Sequence, residues 1–71
     1  MKANTYIRIK DENPKRVKED IISISTMISQ NNYNSFPFIE ITEIVSYVHD
    51  LEFEEKRHIN INFITSFESL I

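Results

Sequence analysis

The chain of 71 residues contains no cysteine, no glycine and no tryptophan, and it has only two prolines. Without cysteine it forms no disulfide, no cysteine-ligated zinc site and no iron–sulfur cluster. Without glycine it lacks the usual phosphate-binding loops and the nucleophile elbow of hydrolases, where the backbone needs positive φ or a close approach to the ligand. Turns must therefore use other residues, and we expect left-handed conformations in the asparagine cluster of Asn31, Asn32 and Asn34.

The chain also lacks long apolar runs, and its N-terminal residues do not form the apolar stretch of a signal peptide. Seventy-one residues build one small core, for which self-association is a common supplement to stability. We therefore predict a single cytoplasmic domain over residues 1–71, with no membrane segment and a tendency to form a homodimer.

Periodicity predicts two elements in the first half of the chain. Residues 4–10 alternate, with Ile7 and Ile9 on one face, which is typical of a half-buried strand. Asn13 and Pro14 fit the N-cap and the first position of a helix that ends near Gln30. The helix buries a stripe with helical spacing, formed by Val17, Ile21, Ile24 and Ile28.

The second half is ambiguous, because its apolar residues fit helical spacing while its β-branched residues favour strand. We interpret it as a hairpin of Val45–Phe53 and Arg57–Thr65 around the loop 54–56, followed by a loose tail from Ser66. The predicted fold class is α+β: a small three-stranded, mostly antiparallel sheet with one amphipathic helix on one face, in the order β-α-β-β. The alternative is β-α-β-α-β, with residues 42–53 as a second helix. The predicted core contains Ile7, Ile9, Val17, Ile21, Ile24, Ile28, Val45, Tyr47, Leu51, Phe53, Ile59, Ile61 and Phe63.

Catalytic and metal-binding constellations do not emerge from the sequence. In the predicted hairpin, His49 and His58 point to opposite faces, which argues against a shared metal ion. Acidic residues are plentiful, but acid–base chemistry needs a desolvated cleft, for which a domain of this size has little room. We therefore predict a protein that is not an enzyme and that uses no cofactor, metal or small-molecule ligand.

Charge is unevenly distributed along the chain. Residues 1–18 hold six bases against two acids, a net charge of +4, whereas residues 19–71 hold two bases against nine acids, a net charge of −7. An acidic face suits a protein partner with a basic groove. We therefore predict a module that modulates or inhibits a macromolecule by occupying its surface, of the kind that a phage or plasmid carries. The predicted partner-binding residues are Glu40, Glu43, Asp50, Glu52, Glu54 and Glu55.

Two further surfaces follow from the same patterns. The alternative function is a nucleic-acid-binding regulator that uses the basic N-terminal strand and helix start, through Arg8, Lys10, Lys15, Arg16 and Lys18. Apolar residues on the outer side of the predicted sheet supply a candidate dimer face. That face consists of Tyr6, Ile44, Val48 and Ile64.

Overall fold

The computed structural model describes residues 2–31, 36–46 and 51–71. Its elements are β1 (Thr5–Ile9), β2 (Lys15–Val17), α1 (Ile21–Asn31), β3 (Phe38–Ser46), β4 (Glu52–Asn60), a 3₁₀ helix (Ile61–Phe63) and β5 (Ile64–Ser69). The strands form one antiparallel sheet in the order β4-β3-β2-β1-β5. The α+β class is confirmed. The predicted three-stranded sheet is wrong, and so is the alternative second helix, since residues 42–46 and 52–53 lie in strands.

The predicted helix start is the first error. Asn13 and Pro14 imitate a helix start, but Lys15–Val17 form β2, which pairs with β1. The turn between these strands contains Asp11 at φ 61°, so an aspartate supplies the left-handed conformation in this glycine-free turn. The helix begins instead at Ile21, where the Ser23 backbone N–H donates to the Asp20 carboxylate at 2.8 Å.

The predicted hairpin register is the second error. β3 pairs with β4 from Phe38 opposite Asn60 to Ser46 opposite Glu52, so residues 54–56 lie inside a strand and do not form the loop. The connection spans residues 47–51, of which 47–50 lie outside the described residues. The predicted tail from Ser66 is also wrong, because Ile64–Ser69 form β5 along β1.

The sheet is rolled. β4 and β5 lie at its two edges, four strand spacings apart, which is about 19 Å in a flat sheet. Three residues of 3₁₀ helix connect them, and such a helix rises about 2 Å per residue. The edges must therefore curve toward each other. Two hydrogen bonds hold the connection, from the Lys10 N–H to the Phe63 carbonyl and from the Ile61 N–H to the Pro37 carbonyl, both at 2.8 Å.

The concave, inner face of the sheet carries a core made largely of isoleucine, which α1 covers through Ile24, Met27 and Ile28. Five predicted core residues are buried, namely Ile7, Ile9, Val17, Ile24 and Ile59. The residues that the prediction missed are Ile39, Ile41 and Ile44. Of the other predicted core residues, Ile28, Val45 and Ile61 are half-buried, Ile21, Leu51, Phe53 and Phe63 are exposed, and Tyr47 lies outside the described residues.

Residues 18–20 carry the chain from the sheet into the helix. The Lys18 N–H donates to the Thr42 carbonyl, which is the last backbone hydrogen bond from β2 toward β3. One residue later, a side chain takes the place of a backbone acceptor. The Glu19 carboxylate accepts hydrogen bonds from the Thr42 N–H at 2.8 Å and from the Thr42 hydroxyl at 2.9 Å. The exit of the chain from the sheet is therefore fixed by a half-buried carboxylate.

Candidate functional site: the outer edge of the fourth strand

The outer, convex face of the sheet brings the basic and acidic segments of the sequence together. Side chains alternate between faces, so Arg16, which lies opposite Tyr6, shares the outer face with Glu54 and its partner Ile44. Each outer-face acid of β3 and β4 has a basic side chain within 4.0 Å, of which His58 is charged only when protonated. The pairs are Arg16–Glu52 at 3.2 Å, Lys18–Glu54 at 3.2 Å and His58–Glu40 at 3.6 Å. The segmental charge asymmetry thus becomes a set of ion pairs across strands.

The predicted acidic surface is divided between the two faces. Glu43 and Glu55 lie on the inner face, where Glu43 pairs with Lys15 at 3.7 Å and with Arg57 at 3.0 Å. Arg57 also pairs with Glu55. Glu40, Glu52 and Glu54 lie on the outer face, and Asp50 lies outside the described residues. Each described acid of this set therefore has a basic neighbour in the same chain, which for Glu40 is His58.

Most of the predicted nucleic-acid contacts are engaged in these same pairs. Lys15, Arg16 and Lys18 bind acids of the β3–β4 hairpin, and Arg8 lies 3.5 Å from Glu68 and 5.2 Å above the Tyr6 ring. Within the described ranges, Lys10 has no acid within the 4.0 Å limit for an ion pair. A phosphate would have to compete with a carboxylate at four of the five positions.

The predicted dimer-face residues lie in three different environments. Ile44 is 2% exposed on the outer face and offers almost no area to a partner. Tyr6 is half-buried beneath Arg8, and Ile64 packs against the inner core. Val48 lies outside the described residues.

A cleft of about 460 Å³ lies at the end of the sheet where β4 ends and β2 begins. Four consecutive residues of β4, Arg57–Asn60, form one wall, and Ile9, Glu12 and Lys15 of the β1–β2 region form the other. Phe38 and Phe63 complete its lining, with Phe63 50% exposed.

The cleft adjoins an open strand edge. Among the described strands, β4 pairs only with β3, so the backbone N–H and C=O groups on its outer side have no strand partner. Sequence reasoning missed this site because it placed residues 54–56 in a loop. A usable signal was present: mixed charge over Glu52–Asn60 is typical of an edge strand.

The chain matches no family model, no curated protein and no solved structure. Across the described ranges, no three or more His, Asp or Glu side chains gather in a way that suits a metal ion. Nor does the described part contain a helix long and apolar enough to cross a membrane.

Proposed function

We propose that this chain is a non-enzymatic protein-binding module that captures an extended segment of a partner along the outer edge of β4. The observation that carries this proposal is the position of the cleft, which lies against the last four residues of β4, the edge strand of the described sheet. The partner is modulated or inhibited because the bound segment is no longer available to its other ligands.

Binding of the partner segment as an additional strand beside β4 explains how such a site gains both affinity and selectivity. The backbone groups of β4 form hydrogen bonds with any extended segment, whatever its sequence. Alternate side chains of that segment point to the inner face, where Ile9, Ile59 and Phe63 offer apolar contact. Lys15 and Glu12 at the rim add charges of both signs. The preferred ligand is therefore an extended segment with an apolar side chain flanked by polar or charged residues.

The lining of the cleft supports binding over catalysis. Its described residues include no serine, threonine or cysteine, and its carboxylate, Glu12, belongs to an exposed residue. His58 is 63% exposed at its side chain and lies beside Glu40. Acid–base or nucleophilic chemistry requires groups that are held close together and shielded from water, and this cleft supplies neither condition.

The test is a selection of extended peptides from a displayed random library against the wild-type chain, followed by measurement of their affinities. Phe63→Asp places a charge in the cleft and is expected to weaken the selected peptides about tenfold or more. The control is Ile22→Asp, which puts the same charge on an exposed apolar residue of α1 that does not line the cleft. Circular dichroism establishes that both variants fold.

Hydrogen exchange identifies the binding mode. Strand addition protects alternate amides of β4, namely those that point away from β3, so protection should recur at every second residue. Equal affinities of the Phe63→Asp and Ile22→Asp variants, or protection confined to another element, would show that the site is not the edge of β4.

A further inference from the structure

The charges of β4 are arranged in two halves of opposite sign. Glu52, Glu54 and Glu55 occupy its first half, and Lys56 and Arg57 begin its second half, followed by His58, which is charged only when protonated. Two such strands repel each other when parallel, but when antiparallel each acidic half lies opposite a basic half. We infer that, in the absence of a partner segment, the outer edge of β4 pairs with the β4 of a second copy, giving a symmetric dimer with one continuous ten-stranded sheet.

Symmetry selects the register. A two-fold axis perpendicular to the sheet puts the inner faces of both copies on the same side, so one residue of β4 must lie opposite itself. An axis at Lys56 places Glu55 opposite Arg57 of the second copy, and Glu54 opposite its His58. Moving the axis to Glu55 makes two glutamates face each other, and moving it to Arg57 makes two arginines face each other. The Glu55 register also matches opposite charges, since it places Glu54 opposite Lys56, but it puts Phe53 opposite Arg57, whereas the Lys56 register puts Phe53 opposite Ile59.

In this register the two Lys56 side chains lie at the two-fold axis, and each is directed away from it. The Lys56 ammonium donates to the Thr42 hydroxyl at 2.9 Å, and that hydroxyl donates to the Glu19 carboxylate. The side chain of Lys56 therefore leans toward β3, inward from the edge that the second copy meets. This contact lowers the repulsion between the two lysines in the dimer.

An exposed aromatic residue supplies a second, independent observation. Phe53 is 45% exposed and lies on the inner face, as Ile59 does. In the Lys56 register, Phe53 lies opposite Ile59 of the second copy, which forms part of the cleft wall. The dimer therefore brings an exposed ring against the second copy at Ile59, twice by symmetry.

This inference shares the edge of β4 with the proposed function, on which it rests, and it gives that site a form of regulation. The edge charges are partly exposed and already have neighbours in their own chain, so their added contribution across the dimer is small and salt-dependent. The dimer is therefore reversible. A partner segment and a second copy compete for one edge, and a rising concentration of the chain lowers the apparent affinity for the segment.

Cysteine cross-linking tests the register, because the chain has no cysteine of its own. Residues directly opposite in an antiparallel pair have Cα atoms about 4.5–5.5 Å apart, within the range of a disulfide. Mild oxidation of Lys56→Cys should therefore give a covalent dimer of twice 8.5 kDa. Glu54→Cys is the matched control, on the same face of the same strand but opposite His58 of the second copy. Ser66→Cys probes the edge strand β5.

Charge exchange tests the same contact without a covalent bond. Arg57→Glu brings two acids together across the dimer and is expected to raise the dimer dissociation constant about tenfold in sedimentation equilibrium. Glu55→Arg combined with Arg57→Glu restores opposite charges and should restore the dimer. A wild-type chain that sediments as a monomer at millimolar concentration overturns the inference. The inference is also overturned if the Glu54→Cys or the Ser66→Cys variant forms covalent dimer as fast as the Lys56→Cys variant does.

The two proposals fail separately. If the chain forms no dimer, the selection of peptides and its dependence on Phe63 still test the proposed function. If both proposals hold, a selected peptide slows the oxidation of Lys56→Cys in proportion to its occupancy of the edge.

Discussion

The two faces of the sheet are stabilised in different ways. The inner face is packed with isoleucine, and Ile7, Ile24 and Ile41 have no measurable exposure. The outer face is covered by ion pairs whose side chains remain partly exposed, such as Arg16–Glu52. Burial of an aliphatic side chain contributes about 1.5–3 kcal/mol, whereas an exposed ion pair contributes about 0–1 kcal/mol. Stability is therefore concentrated inside the rolled sheet.

The comparison also indicates where a partner can bind. The inner face is occupied by α1 and the core, and the outer face has compensated most of its own charges. Neither face offers a large apolar or single-sign surface, which is what a flat interface usually needs. The edge of the described sheet at β4, with its adjoining cleft, is the remaining candidate, and this is why we propose a function for β4 rather than for its charges.

The sharpest test of the comparison replaces an equally buried isoleucine on each face. Ile41→Ala empties a site in the core cluster and is expected to cost about 3 kcal/mol. Ile44→Ala, at 2% exposure on the outer face, is expected to cost about 2 kcal/mol, since the long charged side chains around it can move into the space. Urea unfolding of both variants measures the difference. Equal losses would mean that the outer face is packed as rigidly as the core.

The second prediction concerns the carboxylate that links strand and helix. In Glu19→Ala, the buried Thr42 loses the acceptor of its backbone N–H and of its hydroxyl. Because buried donors without partners are costly, we expect a loss of about 2 kcal/mol. The control is Glu12→Ala, an exposed acid of the β1–β2 turn, which should change the unfolding free energy little. A similar effect of both substitutions would show that charge, and not the hydrogen bonds, matters at Glu19.

Sequence reasoning was reliable where a pattern was local and long. Alternation located β1, the inward positions Ile24 and Ile28 of α1 were confirmed, and the choice of strand over helix for residues 42–46 was confirmed. It failed at β2, because three residues are too few for a periodicity and Asn13 with Pro14 imitates a helix start. The predicted sheet therefore lacks β2, and the predicted helix wrongly includes residues 14–20.

Sequence reasoning missed the candidate site for a different reason. The cleft exists because the sheet rolls and brings Ile9 of β1 close to Ile59 of β4, two residues that lie in strands separated by two others. The predicted hairpin register was chosen to place apolar residues opposite one another. It put residues 54–56 in a loop and therefore hid the edge strand β4. Glu52 and Glu54 of β4 face Arg16 of β2 and Lys18 just after it, and this pairing depends on a strand that the sequence did not reveal.

The third prediction uses the pH dependence of the helix start. The Ser23 backbone N–H, together with its hydroxyl and the Ile22 N–H, lowers the pKa of Asp20 below the ordinary value of 3.8. A carboxylate with a lowered pKa contributes stability that is fully present above its unfolded pKa and is lost as pH falls through the folded one. Asp20→Asn keeps a capping oxygen but does not titrate. Between pH 5 and pH 2, as an approximate window, the variant should lose less stability than the wild type; identical pH profiles would contradict this.

The smallest expected effect is that of single outer-face ion pairs. Lys18→Ala removes the contact with Glu54 and should change the unfolding free energy by about 0.5 kcal/mol or less, a difference that shrinks as salt is added.

The ion pairs within the chain also predict that the wild-type chain does not retard DNA or RNA in a mobility shift, even at low salt, because four of the five candidate cations already face carboxylates. A shift at low salt that disappears in Arg16→Ala/Lys18→Ala would show that phosphate displaces these acids, and would favour nucleic acid as the partner.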